Sequence, residues 1–543
     1  MKSRAQNLTI VVAAFVALTA PLQLAAQATV IHHHYKLVDM GTLGGPMSSY
    51  PVLNQRSTVV GWSATSTPTN PASNPFICGG VDGSISFITV AFKFEHGIIN
   101  NLGALPGSSN CSIPFWINDK GETVGASENG EVDPYAGVNG QRAVVWKNGQ
   151  IHDLESLGGN QNQALFINNR SQIVGISQNT TPDPYSLYEY LLGLRVPGAG
   201  GGTQTRAVLW ENGKIHDLGT LGGSDAWASF INERGQISGF AYVNDTPDPS
   251  TGLPRMDPFL WQNGKLIDLG TFGGVFGFPN GMNNRGQVIG GSSVASNPGA
   301  CNFENTNPGC DPFLWDGEKL IDLSTASVGG SPQSAFWIND AGEIVGGGAF
   351  PNAAFDAYLW RKGVATDLGT LPGDCFSEAY AINSRSQVVG DSFRCDGVSR
   401  PFLWENGSIV DLNTLIPADS PLELVLVGPL SFSVEPLNDR GEIAGVGVPK
   451  GVDPGNLPVL GHAFLLISCD ENHPNVEGCD YDPVEATTPA ALKSSATSLD
   501  PATVPTALQP SRTSGGMIAA ARARMLRRFH VPVPVLGSAA PRN

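Results

Sequence analysis

An all-β fold, a β-propeller of eight four-stranded blades, is what this 543-residue sequence predicts, and three observations carry it. The stretch Arg206–Gly239 decodes as four short strands separated by turn residues. That pattern recurs through the chain. The two ends of the array each hold a lone strand that completes the other.

The unit is read from its turns. Ala207–Trp210 is a short apolar strand, and Glu211-Asn212-Gly213-Lys214 centres Asn-Gly in a two-residue hairpin, the pair suited to positive φ angles. Lys214–Leu218 returns, Gly219–Gly223 interrupts, and Ala228–Ile231 starts a third run. Asn232-Glu233-Arg234-Gly235 then turns into a fourth strand, Gln236–Gly239. A single hairpin is barely stable in water, so such units must stack.

Three markers follow the repeat. A return strand ends at Asp39, Asn101, Asp153, Asp217, Asp268, Asp322, Asp367 and Asp411. A turn asparagine recurs at Asn54, Asn118, Asn168, Asn232, Asn283, Asn339, Asn383 and Asn438, at spacings of about 44 to 64 residues, in and above the range of propeller blades. A strand ends at Trp146, Trp210, Trp261, Trp315, Trp360 and Trp404, with degenerate versions at Phe94 and Leu466. With strands named A (before the asparagine turn), B, C (ending in Trp) and D, the chain opens on a lone D, Tyr35–Met40, and its last repeat ends on a lone C, His462–Ile467. A solenoid needs capping repeats, whereas a ring pairs its first strand with its last and removes both open edges. Seven blades with a separate hairpin is the rival. The tryptophans are expected as wedges between blades. The turn asparagines should bond their own turns, and the D-strand aspartates should act as hydrogen-bond acceptors that hold the fold.

At this point the residues resemble a family. Leu-Gly-Thr-Leu-Gly-Gly at 218–223, Phe-Ile-Asn-Glu-Arg-Gly-Gln-Ile at 230–237 and Ala-Val-Leu-Trp-Glu-Asn-Gly at 207–213 are similar to the HAF repeats of predicted bacterial extracellular repeat proteins. The likeness covers residues 35–467, although His-Ala-Phe itself occurs only at 462–464. It implies secretion and a repeat fold, and supplies no catalytic residues.

The remaining segments follow from composition. Lys2 and Arg4, an apolar run from Leu8 to Ala20, and Ala26-Gln27-Ala28 make residues 1–28 a secretion signal, with a retained N-terminal anchor as the alternative. Residues 29–34 are a lead-in. Its His32, His33 and His34 point to alternating sides of an extended segment, so they read as solvated and not as a metal site. Residues 468–513, rich in Pro, Thr, Ala and Ser, read as a linker. Residues 514–543 read as a basic amphipathic tail, the one segment expected to contact a membrane.

Eight cysteines in an exported chain favour disulfides. The strand reading places each in a B–C or D–A connection or in the tail, and proposes Cys78–Cys111, Cys301–Cys310, Cys375–Cys395 and Cys469–Cys479. No C-x-x-C spacing supports a thiolate metal site, and neither a metal nor a cofactor is expected.

For function, a net charge of −17 without clustered Lys and Arg excludes nucleic acid. No nucleophile elbow, H-E-x-x-H, P-loop or dinucleotide fingerprint occurs. The expectation is therefore a secreted, monomeric, non-catalytic binding or scaffold protein meeting a glycan or a protein through its long B–C loops. Tyr185, Tyr188 and Tyr190 with Glu189 make the candidate sugar-stacking platform. Asp133, Asp183 and Asp248, each before proline, are turn openers or, alternatively, calcium ligands. The runner-up is a propeller glycoside hydrolase or polysaccharide lyase with carboxylates at the channel mouth.

Overall fold

The computed structural model describes residues 31–69, 73–74, 77–78, 86–107, 110–191, 202–301, 310–428 and 435–485. The expected signal (1–28) and basic tail (514–543) lie outside them. Within them the chain is nearly all antiparallel β-structure, laid out as eight blades of four strands. Blade 4 is representative: A is Ala226–Ile231, B Ile237–Pro247, C Pro254–Gln262 and D Lys265–Asp268. The repeat Arg206–Gly239 therefore straddles two blades. Strands B and C run further than their apolar stretches, because their outer ends are polar and still pair, as Pro247 does with Pro254.

Blade 8 takes its D strand from the other end of the chain. Tyr35–Asp39 pairs antiparallel with His462–Ser468, Tyr35 opposite Ser468 and Asp39 opposite Phe464. All four proposed disulfides are present, with Cα–Cα separations of 5.5, 4.6, 5.3 and 5.4 Å in chain order.

A recurring irregularity explains the Ile-Val-Gly motif of strand B. Strand A carries a register shift in blade after blade, between Pro114 and Trp116, Ala164 and Phe166, Ala228 and Phe230, and Ala379 and Ala381. The bulge pushes a carbonyl towards strand B, and the residue opposite is glycine. A Cβ on Gly239 would collide with the Trp227 carbonyl oxygen and stand 2.7 Å from the Phe259 ring; Gly125, Gly175, Gly290 and Gly390 face the same collision. Glycine is there for close approach, since its φ is unexceptional.

The tryptophans wedge neighbouring blades as expected. Trp146 Nε1 donates to the Gly103 carbonyl (3.3 Å), Trp210 Nε1 to that of Glu155 (2.7 Å), and Trp360 Nε1 to Ser327 Oγ (3.1 Å), each in the preceding blade's D–A connection.

The turn asparagines do more than hold their own turns. Asn232 Oδ1 accepts from the amides of Arg234 and Gln236, both at 3.0 Å, as the sequence suggests. Its Nδ2 also donates to the Asn283 carbonyl (3.1 Å) in the next blade. The same bond runs 54 to 118, 118 to 168, 168 to 232, 283 to 339, 339 to 383 and 383 to 438, and Asn438 returns it to Asn54.

A second matching rule lies beside this circuit. At seven of the eight junctions the residue four after an asparagine reaches the residue three after the next one; the exception is Thr58, which leaves open space beside Gly121. Where that neighbour is serine the partner is glutamate: Ser171 Oγ donates to Glu122 Oε2 (2.6 Å), Ser386 to Glu343 (2.7 Å) and Ser57 to Glu442 (2.7 Å). Where it is glycine the partner is Gln172, Gln236, Gln287 or Gln387, and a Cβ on Gly235, Gly286, Gly342 or Gly441 would press within 3.2 Å of that amide. The three serines sit at φ of 63°, 61° and 60°, a conformation disfavoured for a residue with a Cβ, and a bond to a carboxylate compensates.

Within residues 469–485, expected as the start of the linker, Cys469, Asp470 and His473 are buried, although most of the segment is exposed. His473 is 4% exposed, Nδ1 on Asp470 Oδ1 and Nε2 on Glu442 Oε1, both 3.1 Å. Val484–Glu485 pairs with Ile31–His32. The solvated lead-in is likewise corrected at His32, which is fully buried with Nδ1 3.0 Å from Glu405 Oε1, because this pairing presses it onto blade 7.

Two outcomes are expected in chemical unfolding. Gly239→Ala loses about 1–3 kcal/mol, the usual cost of forcing atoms into a full space. Glu122→Gln and Ser171→Gly are each destabilising alone, and the double variant recovers part of the loss, with a coupling of about 1 kcal/mol.

Candidate functional site

A cavity of about 320 Å³ opens where the A–B turns converge on the axis, and all eight blades contribute to its lining. Its position follows from the bulge in strand A, which aims the residue after it at the axis. Trp116 stacks on Phe166 (centroids 3.9 Å) and faces Trp337 from blade 6 at 6.1 Å, while Phe230 meets Phe166 edge-on at 5.6 Å. These rings from blades 2, 3, 4 and 6 give the funnel an aromatic floor.

The rim is set by the residue after each turn asparagine. Gln55 N–H donates to Asp119 Oδ1 (3.0 Å), Asp119 N–H to Asn169 (2.8 Å), Asn169 N–H to Glu233 (3.0 Å), Glu233 N–H to Asn284 (2.9 Å) and Asn284 N–H to Asp340 (2.8 Å). Ser384 N–H donates to Asp439 Oδ1 (2.8 Å) and Asp439 N–H to Gln55 Oε1 (2.9 Å). Among the described residues no such bond joins Asp340 to the shorter side chain of Ser384. Asp119 and Asp340 also accept from Asn169 and Asn284 side chains through their second oxygens. The rim acids thus stitch adjacent blades.

Glu435 differs from them. It is half-buried in the lining of the funnel, its carbonyl accepts from Leu53 N–H at 3.2 Å, and among the described residues no donor reaches its carboxylate. Burial, followed by the charges of Asp439 and Asp119, pushes its pKa up to about 8. It therefore holds its proton at neutral pH. With Asp119, Glu233, Asp340 and Asp439 the lining holds five acids, and no lysine or arginine, among the described residues. Such a site can donate a proton, accept one at the neighbouring carboxylate, and stack a flat apolar face on its floor.

The residues proposed from sequence lie elsewhere, on the opposite, long-loop face. Tyr188 is fully buried and Glu189 is 3% exposed, because Leu187–Leu191 forms a helical turn that rotates them into the core. The Tyr188 hydroxyl meets Gln141 Nε2, and Tyr185 and Tyr190 pack half-buried around Trp227 and Tyr242. No stacking platform is left. Asp133 Oδ1 accepts from Tyr135 N–H (2.8 Å) and its Oδ2 from Gln161 (2.7 Å). Asp183 Oδ1 accepts from Tyr185 N–H (2.7 Å) and Asp248 Oδ1 from Ser250 N–H (2.8 Å). All three are turn openers. The missed rim residues were legible as the position after each asparagine, whereas Glu435 belongs to no repeated motif.

Fold and site define a β-propeller with an acidic funnel lined by its A–B turns. No family model matches the chain, and no curated protein does. Among solved structures it is similar to Pyrococcus horikoshii acylaminoacyl peptidase (12% identity, TM-score 0.34, 75% of this chain and 58% of that one). It is also similar to a prolyl endopeptidase (10%, 0.40, 78% and 56%) and to Porphyromonas gingivalis dipeptidyl peptidase 4 (9%, 0.40, 73% and 57%). The chain thus spans between 56% and 58% of the length of these peptidases. The non-catalytic glycan- or protein-binding module expected on the long-loop face is corrected, because the platform that was to carry it is absent: Tyr188 and Glu189 are buried, and Tyr185 and Tyr190 are half-buried against the core.

Glu435 makes stability depend on pH. Its folded pKa lies above its unfolded value, so the fold is most favoured while it is protonated in both states, and stability falls as pH rises from about 4.5 to about 8. In Glu435→Gln that part of the loss is absent, and the difference between the two Tm–pH curves measures it.

Proposed function

We propose that the funnel is the active site of a hydrolase that cleaves glycosidic bonds in neutral or cationic polysaccharide. The observation that carries this is Glu435, a carboxylic acid kept neutral at pH 7 by burial and by the charges of Asp439 and Asp119. Glycoside hydrolysis needs that division of labour: one acid protonates the leaving oxygen, and one carboxylate activates water or attacks. Asp439 suits the second role, since among the described residues only its Oδ1 is bonded, to Ser384 N–H. Trp116, Phe166 and Trp337 offer the floor on which a sugar ring stacks. Five acids without a base in the lining repel uronate polymers, which argues against a polysaccharide lyase.

The four disulfides suit an oxidising compartment, and no helix of the described residues is long and apolar enough to cross a membrane. On this reading the protein is a secreted or periplasmic member of the HAF repeat family, exported by residues 1–28.

Release of reducing ends from β-glucan, xylan, chitosan and pectate tests the proposal. Cleavage of one of the first three is expected, falling about 10²–10⁴-fold in Glu435→Gln, with a basic limb near pH 8 in the wild type. Asp248→Asn, on the far face, should keep full activity. Absence of cleavage, or activity indifferent to Glu435→Gln, sinks the idea.

A further inference from the structure

The A–B turns carry a second circle of charge outside the acidic rim. The residue two after the turn asparagine is Arg56, Lys120, Arg170, Arg234 and Arg285 in blades 1 to 5, and each is exposed. None of the five lines the funnel, and among the described residues none forms an ion pair. Their side chains run along the circle of turns. Lys120 Nζ donates to Ser171 Oγ of the next blade (3.2 Å), and Arg170 Nη2 donates to Gln172 Oε1 (2.6 Å). Arg170 Nη2 also fills the space that a Cβ on Gly235 of the next turn would need, as Arg285 Nη2 does at Gly342.

A second row stands beside the first. The C–D hairpins share this face with the A–B turns, as the bonds from Gln172 Nε2 to Glu211 Oε1 (2.6 Å) and from Gln236 Nε2 to Gln262 Oε1 (2.8 Å) show. They bring exposed Lys147, Lys214 and Lys265 in blades 2, 3 and 4, again without an ion pair among the described residues. The neighbouring acids are already engaged. Asp119 and Glu233 line the funnel and accept from Gln55 and Asn169 amides, while Glu122 accepts from Asn118 and Ser171. The arc stops at blade 6, where Ala341 takes the position, and in blades 7 and 8 Arg385 and Arg440 lie 4.0 Å from Asp470 and 3.9 Å from Glu442. Towards the long-loop face the pattern reverses: Arg142, Arg206, Arg255, Arg394 and Arg400 each meet an aspartate. In a chain of net charge −17, unpaired cations are thus collected on one arc, where the local field is positive.

We propose that this arc, over blades 1 to 5, binds a linear polyanionic polysaccharide that carries carboxylate or sulfate groups along its length. An arginine fork takes either group through two parallel hydrogen bonds, and one cation per turn presents a row of such forks to a polymer charged at intervals. Single-stranded nucleic acid fits less well, since among the described residues no exposed aromatic ring stands in the arc for a base to stack on. A flat anionic membrane fits less well too, because blades 6 to 8 offer it no free cation at this position. The site goes beyond the proposed hydrolysis and is separate from it: the acids of the funnel turn a polyanion away, so the arc holds the polymer without cleaving it. No cluster of Lys and Arg shows in the sequence, because these cations stand a repeat apart and are gathered only by the ring of turns.

The full oxidised chain is titrated calorimetrically with polygalacturonate and with heparin at about 50 and about 200 mM NaCl. The wild type is expected to bind one or both polymers at the lower salt and to lose about 10-fold or more at the higher, as binding driven by charge does. Combining Arg170→Gln, Arg234→Gln and Arg285→Gln should weaken binding by about 10-fold or more at the lower salt. Combining Lys147→Gln, Lys214→Gln and Lys265→Gln, whose side chains hold no turn in place, should weaken it in the same direction with Tm unchanged. Arg394→Gln, on the far face, should bind as the wild type does. Three results overturn the proposal. One is a wild type that binds neither polymer at the lower salt. Another is binding that survives both triple variants, which assigns it to the basic segment 514–543. The third is equal or tighter binding to duplex DNA or to phosphatidylglycerol vesicles. A funnel that cleaves no glycan leaves each of these readings intact.

Discussion

The structure depends on one close approach, repeated around the axis: the bulged carbonyl of strand A against the glycine of strand B. A bulge costs a ladder bond and twists its strand, so it persists only where the surroundings require it. Here the approach sets both faces of strand A. It brings a carbonyl so near that Gly125, Gly175, Gly239, Gly290 and Gly390 can carry no side chain. It also shifts the alternation by one residue, so that Trp116, Phe166 and Phe230 turn to the axis. A strand of regular period would send those rings to the other face.

From that shift the funnel follows. Aromatic rings line the cavity beside the asparagine turns. Each turn is tied to the next through its asparagine amide, which leaves the following residue at the rim with its side chain on the neighbouring amide. The rim can therefore be acidic at little cost, because most of its carboxylates accept backbone hydrogens. Among the described residues Glu435 has no such donor, and the low-dielectric surroundings that strengthen the stitching raise its pKa. Scaffold and chemistry thus share one cause.

Much of the fold could be read from particular residues. Asn-Gly and N-x-x-G turns, the tryptophan before each hairpin and the lone strands at 35–40 and 462–467 led to the blades, their phase and all four disulfides. The candidate site was less legible. Tyr185, Tyr188 and Tyr190 looked like an exposed loop cluster, but the turn Leu187–Leu191 is helical, and Tyr188 finds Gln141 in another blade. His32 looked solvated because its partner Glu405 lies 373 residues away. Neither pairing leaves a local pattern to read.

The sequence by itself determined the repeat, the strands and the turns, because these rest on φ preferences and on a period of two along each strand, which are local. It also set the choice between Glu–Ser and Gln–Gly at seven of the eight junctions between turns, although that rule acquires meaning only once the blades are side by side. Tertiary structure alone decided which acids keep their protons. A pKa answers to burial and to charges that converge from distant parts of the chain, as Asp119 and Asp439 do on Glu435, and such convergence is a property of the assembled ring of turns.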